Sequence, residues 1–140
     1  MIINRPYSQY NEAEILKLYD AVSWTSYTNR PKMLEKAYSH SLYILGAYDG
    51  DDLVGITRVT GDGYSMIYIQ DIIVLPDYQR KGIGTQLLKD VLSHYPDVYQ
   101  TILLTENEEK TVKFYESVGF EADYKFGCVA FAKFNYDSSN

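Results

Sequence analysis

A glycine-rich, positively charged segment joins an apolar strand to an amphipathic helix in this chain of 140 residues. After Val74 the chain reads Leu-Pro-Asp-Tyr, and then Gln79-Arg-Lys-Gly82-Ile-Gly84-Thr85. Because Gly82 and Gly84 have no Cβ, the backbone can approach an anion closely. The free N–H groups of the first helical turn and the positive end of the helix dipole would point at that anion. The segment therefore predicts a phosphate site.

Two other phosphate-binding motifs do not fit these residues. A dinucleotide fingerprint needs a third glycine where this chain has Leu87, and a P-loop needs a Gly-Lys-Ser/Thr sequence that is absent. An ordinary strand-to-helix turn would also explain the two glycines. The loop alone therefore leaves both a phosphate site and a plain turn open.

The pattern Gln79-x-x-Gly82-x-Gly84 after a strand resembles the acetyl-CoA pyrophosphate loop of the GNAT N-acetyltransferase superfamily. A second segment, Asn107 to Phe120 (NEEKTVKFYESVGF), is similar to the late helix of that family, with its Phe-Tyr pair and terminal Gly-Phe. The resemblance covers about residues 42 to 134. It implies acetyl-CoA as cosubstrate and a GNAT-like α/β fold: a mixed, mostly antiparallel central sheet with a splayed parallel strand pair and flanking helices.

The resemblance also implies how the cofactor is held. Backbone around Ile72, Ile73 and Val74 would hold the pantetheine arm, and N–H groups from Arg80 to Thr85 would take the pyrophosphate. A buried central strand predicts the same apolar composition without any ligand. The predicted cofactor-binding residues are Ile72, Ile73, Val74, Gln79, Arg80, Lys81, Gly82, Ile83, Gly84, Thr85, Asn107 and Tyr115.

Two catalytic groups follow from the same resemblance. Tyr115 is at the position of the hydroxyl that meets the cofactor sulfur, and a phenol with a pKa near 10 can donate a proton at pH 7. A backbone N–H near Ile72 or Ile73, freed by a strand bulge, is the expected oxyanion donor. A core role for Tyr115 is the alternative, because it lies on an apolar helical stripe with Val112 and Val118.

The family often has an Asn seven residues before its Tyr, and this chain departs from that pattern. Glu108 occupies the position, with Asn107 one place earlier. Glu108 is expected to complete a capping box that starts at Thr105. Asn107 is then the candidate for cofactor contact.

The proton acceptor for the amine is left open between two hypotheses. Some family members place a Glu or His where this chain has Tyr68 and Gln70, and neither residue can replace such a base directly. Asp71 is nearby, but strand alternation points it to the opposite face unless a bulge intervenes. A chain of water molecules along backbone carbonyls and tyrosine hydroxyls is the other hypothesis.

The acceptor site is expected opposite the cofactor, on Trp24, Tyr27, Tyr68 and Gln70. Aromatic rings there suit a small-molecule amine, because ring faces attract ammonium groups. The segment from Trp24 through Arg58 is similar to family members that acetylate arylalkylamines. Polyamines, amino sugars, antibiotics and protein or peptide amines stay open as acceptors. Two other functions also stay open: a non-catalytic acetyl-CoA-binding regulator and an unrelated phosphate-binding module.

Composition excludes several other classes of function. A net charge of −6 and a pI near 4.8 do not suit a nucleic-acid surface. The histidines, His40 and His94, are isolated, and the single cysteine, Cys128, cannot form an internal disulfide, so we expect no metal site. The sequence has no apolar run of about 20 residues, so we expect no membrane partner.

We expect one cytoplasmic domain over residues 1–140, frayed at 137–140, that could form a homodimer.

Hydrophobic periodicity predicts the order of the elements. Strands are expected at 1–5, 42–48, 53–60, 65–74 and 101–104, and helices at 11–22, from Pro31 onward, and at 84–93 and 106–117. Gly119 is expected to end the last helix in a left-handed conformation. A hairpin of residues 121–124 and 128–135 is expected to follow.

Overall fold

The computed structural model describes residues 1–135, and the chain divides into two compact units, residues 1–103 and 104–140. The first unit contains a sheet and its helices, and the second contains one α-helix and a short turn. The predicted frayed tail at 137–140 lies outside the described residues.

The first unit follows the predicted order of elements, with two short additions, a one-turn helix and a 3-10 turn. A one-turn helix contains Tyr27, where the sequence predicted a loop. The elements are β1 (Ile2–Pro6), α1 (Glu12–Ala21), α2 (Thr25–Thr28), α3 (Pro31–Ser39), β2 (Tyr43–Asp49), β3 (Asp52–Gly61), β4 (Met66–Val74), a 3-10 turn (Pro76–Tyr78), α4 (Ile83–His94) and β5 (Gln100–Leu103).

The five strands form one sheet in sequence order, and only the β4–β5 pair is parallel. The predicted mixed, mostly antiparallel sheet with one parallel pair and flanking helices is therefore confirmed. A parallel pair needs a crossover connection, and α4 supplies it between β4 and β5.

Helices pack on both faces of the sheet. Ile56 of β3 is buried with Leu18 of α1 and Leu34 of α3 in the main hydrophobic cluster. A Cβ on the preceding residue, Gly55, would lie 3.5 Å from Cδ1 of Leu87 in α4. Because neighbouring residues of a strand point to opposite faces, α1 and α3 cover one face and α4 covers the other.

The pairing of β3 with β4 shifts by one residue in the middle of the sheet. Arg58 is opposite Asp71 and the next residue, Val59, is opposite Ile69, so Gln70 is an extra residue in β4. Such a bulge interrupts the alternation of side chains. Gln70 and Asp71 consequently both reach the helix side of the sheet that carries α1 and α2, as their contacts with Tyr27 and Tyr19 show. The bulge required for Asp71 to share a face with Gln70 is thus present.

The helix of the second unit, α5 (Glu109–Ser117), starts three residues later than predicted. Glu108 precedes the helix without a side-chain capping bond, so the predicted capping box is wrong. The Thr105 side chain instead hydrogen-bonds to Tyr115. The predicted end is confirmed: Gly119 has φ 99°, and the Phe120 N–H donates to the Tyr115 carbonyl at 3.1 Å.

The predicted hairpin after α5 is also wrong. A 3-10 turn (Asp123–Phe126) takes the place of its first strand, and no strand is present between residues 121 and 135. Gly127, with φ 76°, and the hydrogen bond from the Cys128 N–H to the Asp123 carbonyl close this turn locally. Phe131, whose apolar alternation suggested a strand, is 93% exposed. Apolar alternation does not make a strand without a partner to pair with.

Gly61, at the end of β3, is expected to be the least replaceable glycine of the β3–β4 connection. Its φ is +128°, and a Cβ there would lie 2.6 Å from the Met66 carbonyl oxygen. We expect Gly61→Ala to lower the free energy of unfolding by about 3 kcal/mol, from backbone strain and the clash with rigid backbone. Urea unfolding measures this effect.

Gly50→Ala is the control for the Gly61 substitution. Gly50 has φ +61° and no atom within 4 Å of its Cβ position, so only the left-handed conformation costs energy, about 1 kcal/mol. Equal losses for the two variants would contradict the steric argument.

Candidate functional site

One edge of β4 is open at its C-terminal end. Pairing with β5 stops at Ile69 opposite Leu103, whereas pairing with β3 continues to Val74. Five residues of β4, from 70 to 74, therefore have no strand partner on the β5 side within the first unit. An extended ligand can add to such an edge as if it were a further strand.

The register determines which backbone groups face this open edge. The Leu75 N–H donates to the Val54 carbonyl of β3 at 2.9 Å. In an antiparallel ladder, hydrogen-bonded and non-bonded pairs alternate, so Ile73 also directs its backbone groups to β3. Ile72 and Val74 direct theirs to the open edge. Of the two predicted oxyanion donors, Ile72 is the one whose N–H is on this edge.

The predicted phosphate loop follows directly, and its backbone is shaped by two left-handed residues. Arg80 has φ 64° and Gly82, the N-cap of α4, has φ 80°. The Gln86 N–H is satisfied by the Gly82 carbonyl at 3.0 Å. Among the described residues, no acceptor is found for the N–H groups of Ile83, Gly84 and Thr85. A helix N-terminus with such free donors is suited to bind an anion.

Side chains of the loop hold its own shape. The Gln79 amide donates to the Val74 carbonyl at 2.9 Å, so this predicted cofactor-binding side chain is engaged inside the loop. The Tyr78 hydroxyl donates to Asp49, the last residue of β2, at 2.7 Å. The Lys81 ammonium lies 5.4 Å from the Tyr78 ring centroid. The loop is thereby tied to two strands before any ligand binds.

The predicted acceptor residues Trp24, Tyr27 and Gln70 lie together. The Gln70 amide donates to the Tyr27 hydroxyl at 3.0 Å, and the rings of Trp24 and Tyr27 lie 6.2 Å apart. Burial raises the pKa of Tyr27, and the Asp71 charge adds to this effect, so the phenol stays protonated. Tyr68 is half-buried two residues before Gln70 in β4, which places it on the same face.

Asp71 is buried in a charged network that sequence analysis did not find. Its Oδ2 accepts hydrogen bonds from Arg58 Nε at 2.8 Å and from the Tyr19 hydroxyl at 2.5 Å. The Tyr38 hydroxyl lies 2.9 Å from that of Tyr19. Burial, and then the Asp71 charge, raise the pKa of Tyr19. Burial is the strongest single influence on Arg58 and acts to lower its pKa, but the interactions with Asp71, Tyr19 and Tyr38 together outweigh burial and raise that pKa.

A signal for this network was present in the sequence. Arg58 interrupts an apolar strand, and Asp71 interrupts the next one. Opposite charges in two neighbouring central strands suggest a buried ion pair. Tyr19 and Tyr38 gave no such signal, because both fall on ordinary apolar helix stripes.

Tyr115 and Asn107 belong to the second unit. Tyr115 lies in α5, with its ring 5.0 Å from that of Phe114 and 6.0 Å from that of Phe120. Burial raises the pKa of Tyr115, and the hydrogen bond with Thr105 opposes that shift only in part. Asn107 is exposed in the segment before the helix.

Two other kinds of feature are absent from the described residues. No group of three or more His, Cys, Asp or Glu side chains there could hold a metal ion. No helix in residues 1–135 is long and apolar enough to cross a membrane.

Comparisons with known proteins show the family of this chain. The family model described as the acetyltransferase (GNAT) domain matches residues 7–131. A solved GNAT-family acetyltransferase from Streptococcus pneumoniae TIGR4 is 44% identical, with a TM-score of 0.87, over 97% of this chain and 99% of that chain.

Curated relatives are more distant. An uncharacterised N-acetyltransferase (ycf52-like) from Prochlorococcus marinus is 27% identical over 89% of this chain and 72% of its own length. The ycf52 N-acetyltransferase of Porphyra purpurea is 28% identical over 81% of this chain, which spans 66% of that relative. The domain match and the close structural relative together establish that this chain belongs to the GNAT family of acyl-CoA-dependent N-acetyltransferases.

Proposed function

We propose that the protein transfers the acetyl group of acetyl-CoA to a primary amine of a small molecule by direct attack. The observation that carries the proposal is the open edge of β4 at residues 70–74, which leads directly into a loop with free N–H groups. Together, these two features fit a ligand that has an extended chain ending in a pyrophosphate.

The backbone supplies the cofactor contacts in this proposal. The backbone carbonyl of Ile72 and the backbone N–H of Val74 would bind the pantetheine arm along the edge. The N–H groups of Ile83, Gly84 and Thr85 would take the pyrophosphate, with the positive charges of Arg80 and Lys81 nearby. Acetyl-CoA is the cosubstrate that supplies the thioester, and no metal is needed for the reaction.

Transfer forms an amide bond and breaks the thioester. The Ile72 N–H would stabilise the negative charge that develops on the thioester oxygen as the amine nitrogen attacks. Tyr115 would donate its proton to the departing thiolate sulfur, and the proton that the attacking nitrogen loses as the amide forms would restore the phenol through solvent. The ammonium form of the acceptor must first lose a proton, because only about one alkylamine in 10³ is neutral at pH 7.

Two routes for that ammonium proton are compatible with the geometry. Asp71 Oδ1 is buried without a hydrogen-bond partner among the described residues, whereas Oδ2 is engaged by Arg58 and Tyr19. A chain of water molecules past tyrosine hydroxyls is the second route.

The acceptor class is argued from the aromatic cluster of Trp24, Tyr27 and Tyr68 beside Gln70. Ring faces favour an ammonium group, and stacking favours an aryl substituent, so an arylalkylamine fits best and a polyamine fits next. Partial relatives carry other acceptors in their names: a glucosamine 6-phosphate N-acetyltransferase from Trypanosoma brucei brucei matches 46% of this chain, and a histone acetyltransferase from Glycine max matches 51%. Peptide amines therefore belong in the test. A cytoplasmic location and a homodimer stay predictions.

The test of this function is amine-dependent release of free thiol from acetyl-CoA. The panel contains arylalkylamines, polyamines, amino sugars and N-terminal peptides, and mass spectrometry identifies the acetylated product. We expect release with a small aryl amine. Tight acetyl-CoA binding without release for any amine would favour the non-catalytic regulator, and release with peptides alone would favour a protein acetyltransferase.

Gly82→Ala is expected to weaken acetyl-CoA binding about fivefold. Gly82 has φ +80°, so a side chain adds about 1 kcal/mol of strain to the loop that the ligand needs. Calorimetric titration with acetyl-CoA measures the affinity. Gly63→Ala is the matched control, because Gly63 has nearly the same φ, +83°, but lies in the β3–β4 turn. Similar affinities for both variants would remove the loop from the proposed site.

Tyr115→Phe is expected to lower kcat at least tenfold and to leave the acetyl-CoA affinity within twofold. The phenyl ring preserves packing with Phe114 and Phe120, and only the donated proton is lost. Because burial raises the Tyr115 pKa, the wild type should keep this donor protonated through pH 9. Tyr124→Phe, at an exposed tyrosine of the same unit, is the control. Unchanged turnover in Tyr115→Phe would exclude Tyr115 as the acid.

A further inference from the structure

We propose that Thr57 is a positioning residue for acetyl transfer, because its hydroxyl fixes the peptide group whose N–H serves as the oxyanion donor. The proposal rests on the function proposed above. Thr57 is fully buried in β3, and its hydroxyl donates to the main-chain carbonyl of Asp71 at 2.9 Å. That carbonyl and the Ile72 N–H belong to one peptide group.

The planarity of that peptide group links the direction of the Asp71 carbonyl to the direction of the Ile72 N–H. In a trans peptide, the C=O and N–H bonds lie in one plane and point in opposite directions. The chain has no cis peptide bond in its described part. The Thr57 hydroxyl draws the Asp71 carbonyl toward β3, so the Ile72 N–H points away from β3 to the open edge. The β3–β4 register gave the same direction independently.

The bulge is the reason why this peptide needs additional support. Gln70 has no partner in β3, and the ladder is disrupted at the residue just before Asp71. A peptide next to a bulge can rotate more freely than one inside a regular ladder. The hydroxyl of Thr57 supplies a hydrogen bond that does not depend on the regular ladder.

The Asp71 side chain holds the same peptide from the other face of the sheet. Its carboxylate is fixed by Arg58 of β3 and by Tyr19 of α1, and the two charged side chains are 7% and 1% exposed. A buried ion pair is weak evidence for stability, because desolvation of two charges offsets most of their attraction. Its geometric effect is clear, since it attaches the residue after the bulge to both β3 and α1. The carboxylate and the carbonyl of Asp71 are thus both fixed.

The test compares Thr57→Val, Thr57→Ser and the wild type. Valine keeps the branched shape and removes the hydroxyl, whereas serine keeps the hydroxyl. We expect Thr57→Val to lower kcat about tenfold, because loosening a donor should cost less than its removal, which costs about 10² to 10³. The KM for acetyl-CoA should change less than twofold, and Thr57→Ser should recover at least half of the lost kcat. Thr101→Val in β5 is the control for a strand Thr-to-Val change and should keep wild-type kcat.

A second measurement does not depend on activity. The amide resonance of Ile72, observed by NMR in the ligand-free protein, should shift in Thr57→Val and return toward its wild-type position in Thr57→Ser. A fall in kcat without that shift, an unaltered kcat, or a kcat that serine fails to recover would overturn the positioning role. No turnover in the wild type with any amine would overturn the proposed function instead, and the NMR comparison would still decide whether Thr57 orients this peptide.

Discussion

The arrangement of the site depends on one irregularity, the single extra residue in β4 opposite the Arg58–Val59 step of β3. It places two consecutive residues, Gln70 and Asp71, toward the same layer of helices, which a regular strand cannot do. Gln70 can therefore bind Tyr27 while its neighbour binds Arg58 and Tyr19. A regular strand would separate the predicted acceptor residues from the charged network, with the sheet between them.

The parallel β4–β5 pair ends early, and this affects the edge of β4 that faces away from β3. β5 contributes only four residues, so within residues 1–103 one edge of β4 has no strand partner over its last five residues. Exposed strand edges are normally avoided because they invite pairing with other chains. Here the unpaired edge is short, ends in the apolar residues Ile72, Ile73 and Val74, and leads to a helix N-terminus. These features suit the ligand edge proposed above.

The sequence predicted the parts that depend on local rules. The loop around Gly82, the long apolar β4 strand and the left-handed end of α5 at Gly119 all follow from residue type and spacing, and the structure contains them. The Arg58–Asp71 pair depends on a one-residue register shift, and no local pattern specifies such a shift. The predicted start of α5 and the predicted hairpin after it were wrong for a similar reason. Thr105 bonds to Tyr115 rather than to a helix end, and Phe131 has apolar alternation but no pairing partner.

The Gln79 side chain has a further consequence for the proposed cofactor site, because it would limit how far a bound chain can follow the strand. By donating to the Val74 carbonyl, it occupies the last acceptor of the free edge before the loop. In the proposed function, a ligand that follows the strand would find that carbonyl already hydrogen-bonded at Val74 and would next reach the N–H groups of Ile83, Gly84 and Thr85. This order of groups would favour ligands whose amide-like portion ends, and whose negative charge begins, at one fixed distance from the reacting carbonyl.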